Sequence, residues 1–216
     1  VMNFREQLDD LIDLEHGFRD FSRITQMVFA VGAARSEAIV RLRSWDDSLL
    51  QALLDLGVTK FLVPGIERAE QVHRLVERTR WAPNGLRGFH PRSPHDPSHS
   101  LETEVEIFPI IETPAALEDL SAILGIDGVC GCYFGTYDLA QALGVRRDSE
   151  VITSKFRVLG EGLVQEKKSL MFMPSSATAP GTFGEELAEL HVIGIDTEIL
   201  MDGLQERVNM NLADAQ

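Results

Sequence analysis

Residues 107–144 read IFPIIETPAALEDLSAILGIDGVCGCYFGTYDLAQALG. Two apolar runs, 105–111 and 128–134, flank a stretch with helix punctuation: Thr113 as N-cap, Pro114 at the first helical position and Gly125 near the stop. The runs are rich in Val, Ile and Phe without polar alternation, as in strands buried on both faces. Strand, crossover helix and strand in this order make a parallel α/β unit.

The same alternation extends in both directions. Further apolar runs lie at 11–14, 38–42, 60–63, 169–173 and 197–201, and helical patterns at 18–31, 46–57, 67–80, 114–123, 150–167, 182–192 and 203–213. In 46–57, Asp46 and Asp47 stand as capping residues before leucines 49, 50, 53, 54 and 56, and Gly57 closes the segment. Two architectures fit such repeats, an open doubly wound sheet and a (β/α)8 barrel. No Gly-rich phosphate fingerprint follows a first strand, which disfavours a dinucleotide fold. Polar residues gather after the ends of four different strands (Asp13 to His16, Arg41, Glu112, Asp138), and a ring of strands makes such ends converge. The expectation is one barrel domain over residues 1–216. Seven runs, one short of eight, predict an atypical or missing first strand.

Composition narrows the function. The chain has 216 residues, is 44% hydrophobic, and carries a formal charge of −14, which repels nucleic-acid backbones and anionic membranes. No apolar run approaches the roughly 20 residues of a membrane span. No basic-then-apolar leader opens the sequence, and Cys130 and Cys132 stand too close together for an ordinary disulfide. The expected location is the cytoplasm. The Pro- and His-containing stretch 84–100, with His90, His95 and His99, reads as a solvated connector rather than a metal loop.

Glu112 and Asp138 follow apolar strands on separate units. A carboxylate at a buried strand end is costly unless paired, hydrogen-bonded or bound to a cation. Two of them with no local His or Cys make a hard oxygen site suited to Mg2+ or Mn2+ completed by water. The alternative is that both cap the turns that follow. In DLEHG, 13–17, His16 stands three residues after Asp13, the spacing of an oriented acid/base pair or of a structural histidine. Arg41 ends a strand with a permanent charge, free to stabilise an oxyanion or pair with an acid.

IDLEHG, VRLRSWDDSLLQALLDLGVTKFLVPGIERAEQVHRLV, APNGLRG and PIIETPAALEDLSAILGIDGVCGCYFGTYDLAQALG, in that order, resemble the HpcH/HpaI aldolase family from Asp10 to Gly144 and more weakly to Asp202. The resemblance implies a TIM barrel assembled as a homo-oligomer, dimer to hexamer. It implies a class II aldolase joining or cleaving pyruvate, or a related 2-oxo acid, and an aldehyde through a metal-stabilised enolate. Mg2+ or Mn2+ is the expected ion, with Co2+ and Zn2+ as further candidates. By the same resemblance Glu112 and Asp138 match metal ligands, His16 the catalytic base and Asp13 the acid that holds it. Arg41 matches the arginine at the substrate's oxo group. Gly135, Thr136, Tyr137 and Asp138 match the cradle for the substrate carboxylate. Asp55 matches an aspartate near a subunit contact and the active site, and Gly85, Arg87 and Gly88 the G-x-R-G turn. Ile110 stands where glutamine is common, and the PIIET form is closer to citrate-lyase β and malyl-CoA lyase relatives. That keeps a second reading, a carbon–carbon lyase or synthase of CoA thioesters or oxaloacetate, with Arg146 and Arg147 as the nearby basic doublet. A third is a non-catalytic barrel.

Overall fold

The computed structural model describes residues 9–17, 20–88, 104–173, 188, 190–191 and 195–213. Seven parallel strands form its sheet: β1 (Asp10–Asp13), β2 (Ala38–Arg41), β3 (Lys60–Val63), β4 (Glu106–Ile111), β5 (Gly131–Phe134), β6 (Ser169–Phe172) and β7 (Leu190–His191). Between and after them run α1 (Phe21–Ala33), α2 (Leu50–Asp55), α3 (Ala69–Thr79), α4 (Pro114–Glu118), α5 (Leu120–Leu124), α6 (Thr136–Leu143), α7 (Glu150–Glu166) and α8 (Asp196–Ala213). Strand order follows chain order from β1 to β7. A doubly wound sheet would reverse its order at a switch point, whereas unbroken sequential order is that of a barrel wall. Among the described residues β1 and β7 each pair on one side only.

The alternation of side chains along each strand divides the core in two. The larger part lies between sheet and helices and includes Val40, Phe61, Val63, Ile107, Ile111, Cys132, Phe134, Leu170 and Phe172 with the buried faces of α2, α3 and α7. Phe134, Phe156 and Phe172 meet edge to face, at centroid distances of 5.5 and 4.8 Å. The smaller part, on the opposite face of the strands, is Ile39, Leu62, Phe108, Ile110 and Met171, with Tyr133 packed against it. Arg41 follows Ile39 by two residues, so it stands on this inner face, at the sheet's carboxyl end.

Two sequence expectations at the C-terminal end are corrected. The run 197–201 is not a strand: it lies inside α8, continuous with the helix expected at 203–213. Short apolar runs do not distinguish strand from helix, and Asp196 and Glu198 favour a helix first turn. The last strand is instead Leu190–His191, at the end of the stretch read as helix 182–192. Helix α6 occupies a segment outside the helical patterns read from the sequence, and closes on Gly144 in the left-handed conformation at φ 65°. His90, His95 and His99 lie outside the described residues.

Asp47 does not cap α2 as the sequence suggests; Leu49 holds that position without a side-chain bond. Its side chain is fully buried and accepts from the amides of Arg43 and Leu49 at 3.1 and 2.9 Å, and from the Arg43 guanidinium at 2.9 and 2.5 Å. Burial opposes the charge, but these donors outweigh it and hold the carboxyl below its ordinary value of 3.8. A depressed folded-state value contributes stability that is present above the unfolded value and lost as pH falls through the folded one. Asp47→Ala should cost about 1–3 kcal/mol in urea unfolding at pH 7, the scale of losing hydrogen bonds to a charged group. The gap from wild type should shrink as the pH is taken below 3.8; a gap that stays constant through that range would remove the charge from the explanation.

Candidate active site at the carboxyl ends of the strands

Parallel strands deliver their carboxyl ends to one side, so residues far apart in sequence meet there. Asp13 and Arg41 are register partners at the ends of β1 and β2. The Arg41 guanidinium donates to both Asp13 oxygens, Nε to Oδ1 at 2.7 Å and Nη2 to Oδ2 at 2.5 Å. Its remaining Nη1 lies 3.1 Å from Glu15 Oε2. Asp13 also accepts from the amides of Glu15 and His16, at 2.9 and 3.4 Å. The expected Asp13–His16 pairing is therefore made through the His16 backbone, while the carboxylate's side-chain partner is Arg41. The His16 ring is 72% exposed and its Nε2 lies 3.8 Å from Glu15.

Glu112 leaves the end of β4, and its Oε1 accepts from the Gly65 amide, just beyond β3, at 2.8 Å. Thr113 next to it caps α4, accepting from Ala116 N at 3.0 Å. Asp138 sits in the first turn of α6, which starts directly beyond β5. The two are tied together by Gly135. A Cβ there would stand 2.6 Å from Glu112 Cβ and 3.2 Å from Glu112 Oε2, so only glycine lets α6 begin against that carboxylate. Gly135 N also bonds Ile111 O at 3.0 Å, extending the β4–β5 ladder to the helix start. No side chain caps α6, and the amides of Thr136 to Asp138 in its first turn, at the strand ends, make a favourable place for an anion.

Glu15, His16, Glu112, Thr113, Asp138, Gln141 and Ala142 line one cavity of about 380 Å3. Three of these are carboxylates. Burial pushes Glu112 above its ordinary value; the Gly65 amide offsets part of this, and the charges of Glu15 and Asp138 add to it. Glu15 is raised too, by burial first, with Arg41 and His16 opposing. For Asp13 burial is again the largest influence, but the Arg41 bonds and charge override it and the net direction is down. The cavity is thus a crowded acidic mouth, with the Arg41 guanidinium behind it, bound to the lining Glu15. Among the described residues, no group of three or more His, Cys, Asp or Glu is disposed to hold an ion. Two hard carboxylates with room for water still fit an Mg2+- or Mn2+-type ion, whose charge would relieve the repulsion from Glu15 and Asp138 that adds to the effect of burial on Glu112.

Asp55 takes no part in this cavity. It ends α2, on the side where β3 begins, and pairs with Gln51 at 3.0 Å and Arg87 at 3.3 Å. Arg87 is buried, its guanidinium 4.2 Å from the centroid of the Trp81 ring, and Gly88 N bonds Gln51 Oε1 at 3.2 Å. Gly85 lies against the carbonyls of Glu77 and Arg80, where a Cβ would stand 2.4 Å from each. The G-x-R-G turn is in this way fastened to α2 and α3. Lys60 starts β3, at the opposite end from the cavity. Burial works against its charge, but Glu37 and Asp9, at 2.6 and 2.9 Å, raise its value well above normal and keep it protonated.

Sequence reasoning missed Glu15, Gln141 and the environment of Arg147. Glu15 lay inside the quoted DLEHG motif, a second acid two residues past a strand end. Arg147 donates through Nε to Thr136 Oγ1 at 2.7 Å and through Nη1 to the Tyr137 hydroxyl at 2.9 Å, and its guanidinium lies 4.1 Å from the centroid of the Tyr137 ring.

The HpcH/HpaI aldolase/citrate lyase family model matches residues 5–202. The chain belongs to this family and is on that footing a carbon–carbon lyase of the aldolase kind. A 4-hydroxy-2-oxovalerate aldolase of Rhodococcus jostii is 29% identical over 211 residues, 88% of this chain and 77% of that protein. A 2-keto-3-deoxy-L-rhamnonate aldolase of Klebsiella pneumoniae is 28% identical over 95% of this chain and 80% of that protein. A hydroxypyruvate/pyruvate aldolase of Cupriavidus necator is 34% identical over 63% of this chain, and the match spans about half of that relative, 54%. Among solved structures, an HpcH/HpaI aldolase of Desulfitobacterium hafniense superposes with a TM-score of 0.81 at 24% identity, over 93% of this chain and 82% of that one. The citrate synthase SbnG gives 0.80 at 21% identity, over 95% and 84%. These two likenesses show the fold.

Arg41 is the counter-charge on which the acids of the β1 end depend. Arg41→Gln should raise the Asp13 value, because burial is then opposed by the Glu15 and His16 amides alone. Carboxyl carbon NMR titration reads this directly, and an Asp13 signal still titrating low in the variant would assign its depression to the backbone amides alone.

Proposed function

We propose that this chain is a divalent-metal-dependent aldolase that cleaves or forms a bond between pyruvate, or a close 2-oxo acid, and an aldehyde. The observation that carries the reading is the meeting of Glu112, Asp138 and the exposed His16 around one acidic cavity at the carboxyl ends of parallel strands, with Arg41 bound to the Glu15 of its wall. The names of the relatives support it, since hydroxypyruvate/pyruvate, 4-hydroxy-2-oxovalerate and 2-keto-3-deoxy-L-rhamnonate are all 2-oxo acids. Glu112 and Asp138 would hold the ion. A divalent cation bound there supplies polarisation of the substrate carbonyl, which lowers the cost of the neighbouring carbanion.

The remaining work falls to side chains. Amides at the start of α6, Thr136 to Asp138, donate to the substrate carboxylate. Arg41, rigid between Asp13 and Glu15, presents fixed positive charge where oxygen becomes anionic, without reorganising as the reaction proceeds. His16 is exposed at the rim and takes the hydroxyl proton of the aldol in cleavage, returning it in condensation. Glu15, 3.8 Å from His16 Nε2, stabilises the ring once it is protonated.

The proposal includes a complete eight-stranded TIM barrel working as a single domain, cytoplasmic location and self-association. Among the described residues no helix is long and apolar enough to cross a membrane. Large apolar residues of α8 stand open, with Ile199, Leu200, Met201, Leu204 and Val208 each half exposed or more. A second copy of the chain is the partner proposed for them, and light scattering at low micromolar concentration tests it: an active 24 kDa monomer would reject it. The CoA or oxaloacetate reading keeps one supporting observation, Ile110 buried on the inner face where glutamine is common. Against it, Arg146 is engaged by Asp148 at 2.8 and 2.9 Å and Arg147 by the α6 turn, so the basic doublet is spoken for.

Glu112→Ala and Asp138→Ala should each abolish calorimetric binding of Mg2+ or Mn2+ together with turnover, and full activity in excess chelator would end the metal reading. His16→Ala should keep ion and pyruvate binding yet slow cleavage about 10²–10⁴-fold. Arg41→Lys, lacking the planar fork, should impair exchange of the pyruvate methyl protons in deuterated water. Wild-type exchange in that variant would reduce Arg41 to a purely structural role.

A further inference from the structure

The start of α6 is an uncapped turn, and two of its first residues are held from outside by a single side chain. Thr136 is buried, and its hydroxyl accepts from Arg147 Nε at 2.7 Å. Tyr137 is 57% exposed, so packing alone does not fix its ring. Its hydroxyl accepts from Arg147 Nη1 at 2.9 Å, and the same guanidinium stacks on its face at 4.1 Å. The third nitrogen, Nη2, reaches the carbonyl of Met173, directly after β6, at 3.5 Å. One planar group therefore spans the first two residues of α6 and the carboxyl end of the next strand. On its other side the turn cannot retreat, because Gly135 lies against Glu112.

We infer that Arg147 is a positioning residue for 2-oxo acid binding: it clamps Thr136 and Tyr137 so that the amides of this turn face the substrate carboxylate. This rests on the aldolase reading above, and it adds a residue outside the cavity wall to the determinants of affinity. A free helix start would have to be ordered anew by each substrate molecule, and the entropy of that ordering would appear as weaker binding. Lysine cannot take this place, since a single ammonium cannot bond Thr136, Tyr137 and Met173 in one plane while stacking on a ring.

The experiment uses the full chain with Mg2+ or Mn2+ and pyruvate alone, following methyl-proton exchange in deuterated water. Arg147→Lys should raise KM for pyruvate about tenfold, the scale of a lost charged hydrogen bond, with kcat changed less than about twofold. Calorimetric Kd for oxalate should weaken in parallel. Tyr137→Phe removes one contact and keeps the ring, so its rise should be smaller, about threefold. Combined, the two changes should raise KM by less than the product of their separate effects, because both act through one guanidinium. Tyr137→Phe also reads the clamp alone if Arg147→Lys does not fold. An Arg147→Lys variant with wild-type KM and oxalate affinity, or with kcat lowered at unchanged KM, would overturn the assignment. Wild-type protein that neither exchanges pyruvate protons nor binds oxalate would instead overturn the aldolase reading, and this inference with it.

Discussion

Arg41 joins two strands, one loop and the charge balance of the whole cavity. It is fixed by a bidentate bond to Asp13 across the β1–β2 register and by Glu15 from the following loop. Take the guanidinium away and both carboxylates remain partly buried with their largest influence, desolvation, stripped of its main opposing charge. Around this one cation three acids line the opening. The arrangement is short of positive charge by design of its geometry, and a small hard cation is the simplest species to complete it. Such a site gathers its strength from repulsion held in place by the fold, since each strand end is anchored by its neighbours before any ligand arrives.

Much of the frame was legible from sequence because parallel strands buried on both faces leave uninterrupted apolar runs. The strands β2 to β6 all fall within such runs, and β1 overlaps its run from Leu11 to Asp13. The C-terminal part was misread where that signal is ambiguous. Thr197 to Met201 has the length and apolarity of a strand, and only its position after acidic Asp196 and within a longer helical stretch shows otherwise. Helix α6 was hidden for a related reason: eight residues give too few turns for an apolar stripe to repeat.

At the site, sequence proximity pointed to a different partner from the one geometry supplies. Asp13 and His16 are three residues apart, whereas Asp13 and Arg41 are separated by 28, and only strand register makes them neighbours. Arg147 was legible as a charge but not as a clamp, because the stack on Tyr137 depends on how the chain turns after Gly144. Strand-end carboxylates announce themselves through the cost of burying them; the groups that hold those carboxylates in place carry no comparable mark.

Gly135 sets a direction for changing the protein's substrate range. With α6 and the end of β4 in van der Waals contact through it, Glu112 has no free volume on that side. Any redesign that needs a wider opening must take the space further along α6, where Gln141 and Ala142 line the cavity and are themselves exposed. Residues one and two turns into α6 are thus the adjustable part of the mouth, while its first turn is the reference against which every adjustment is made.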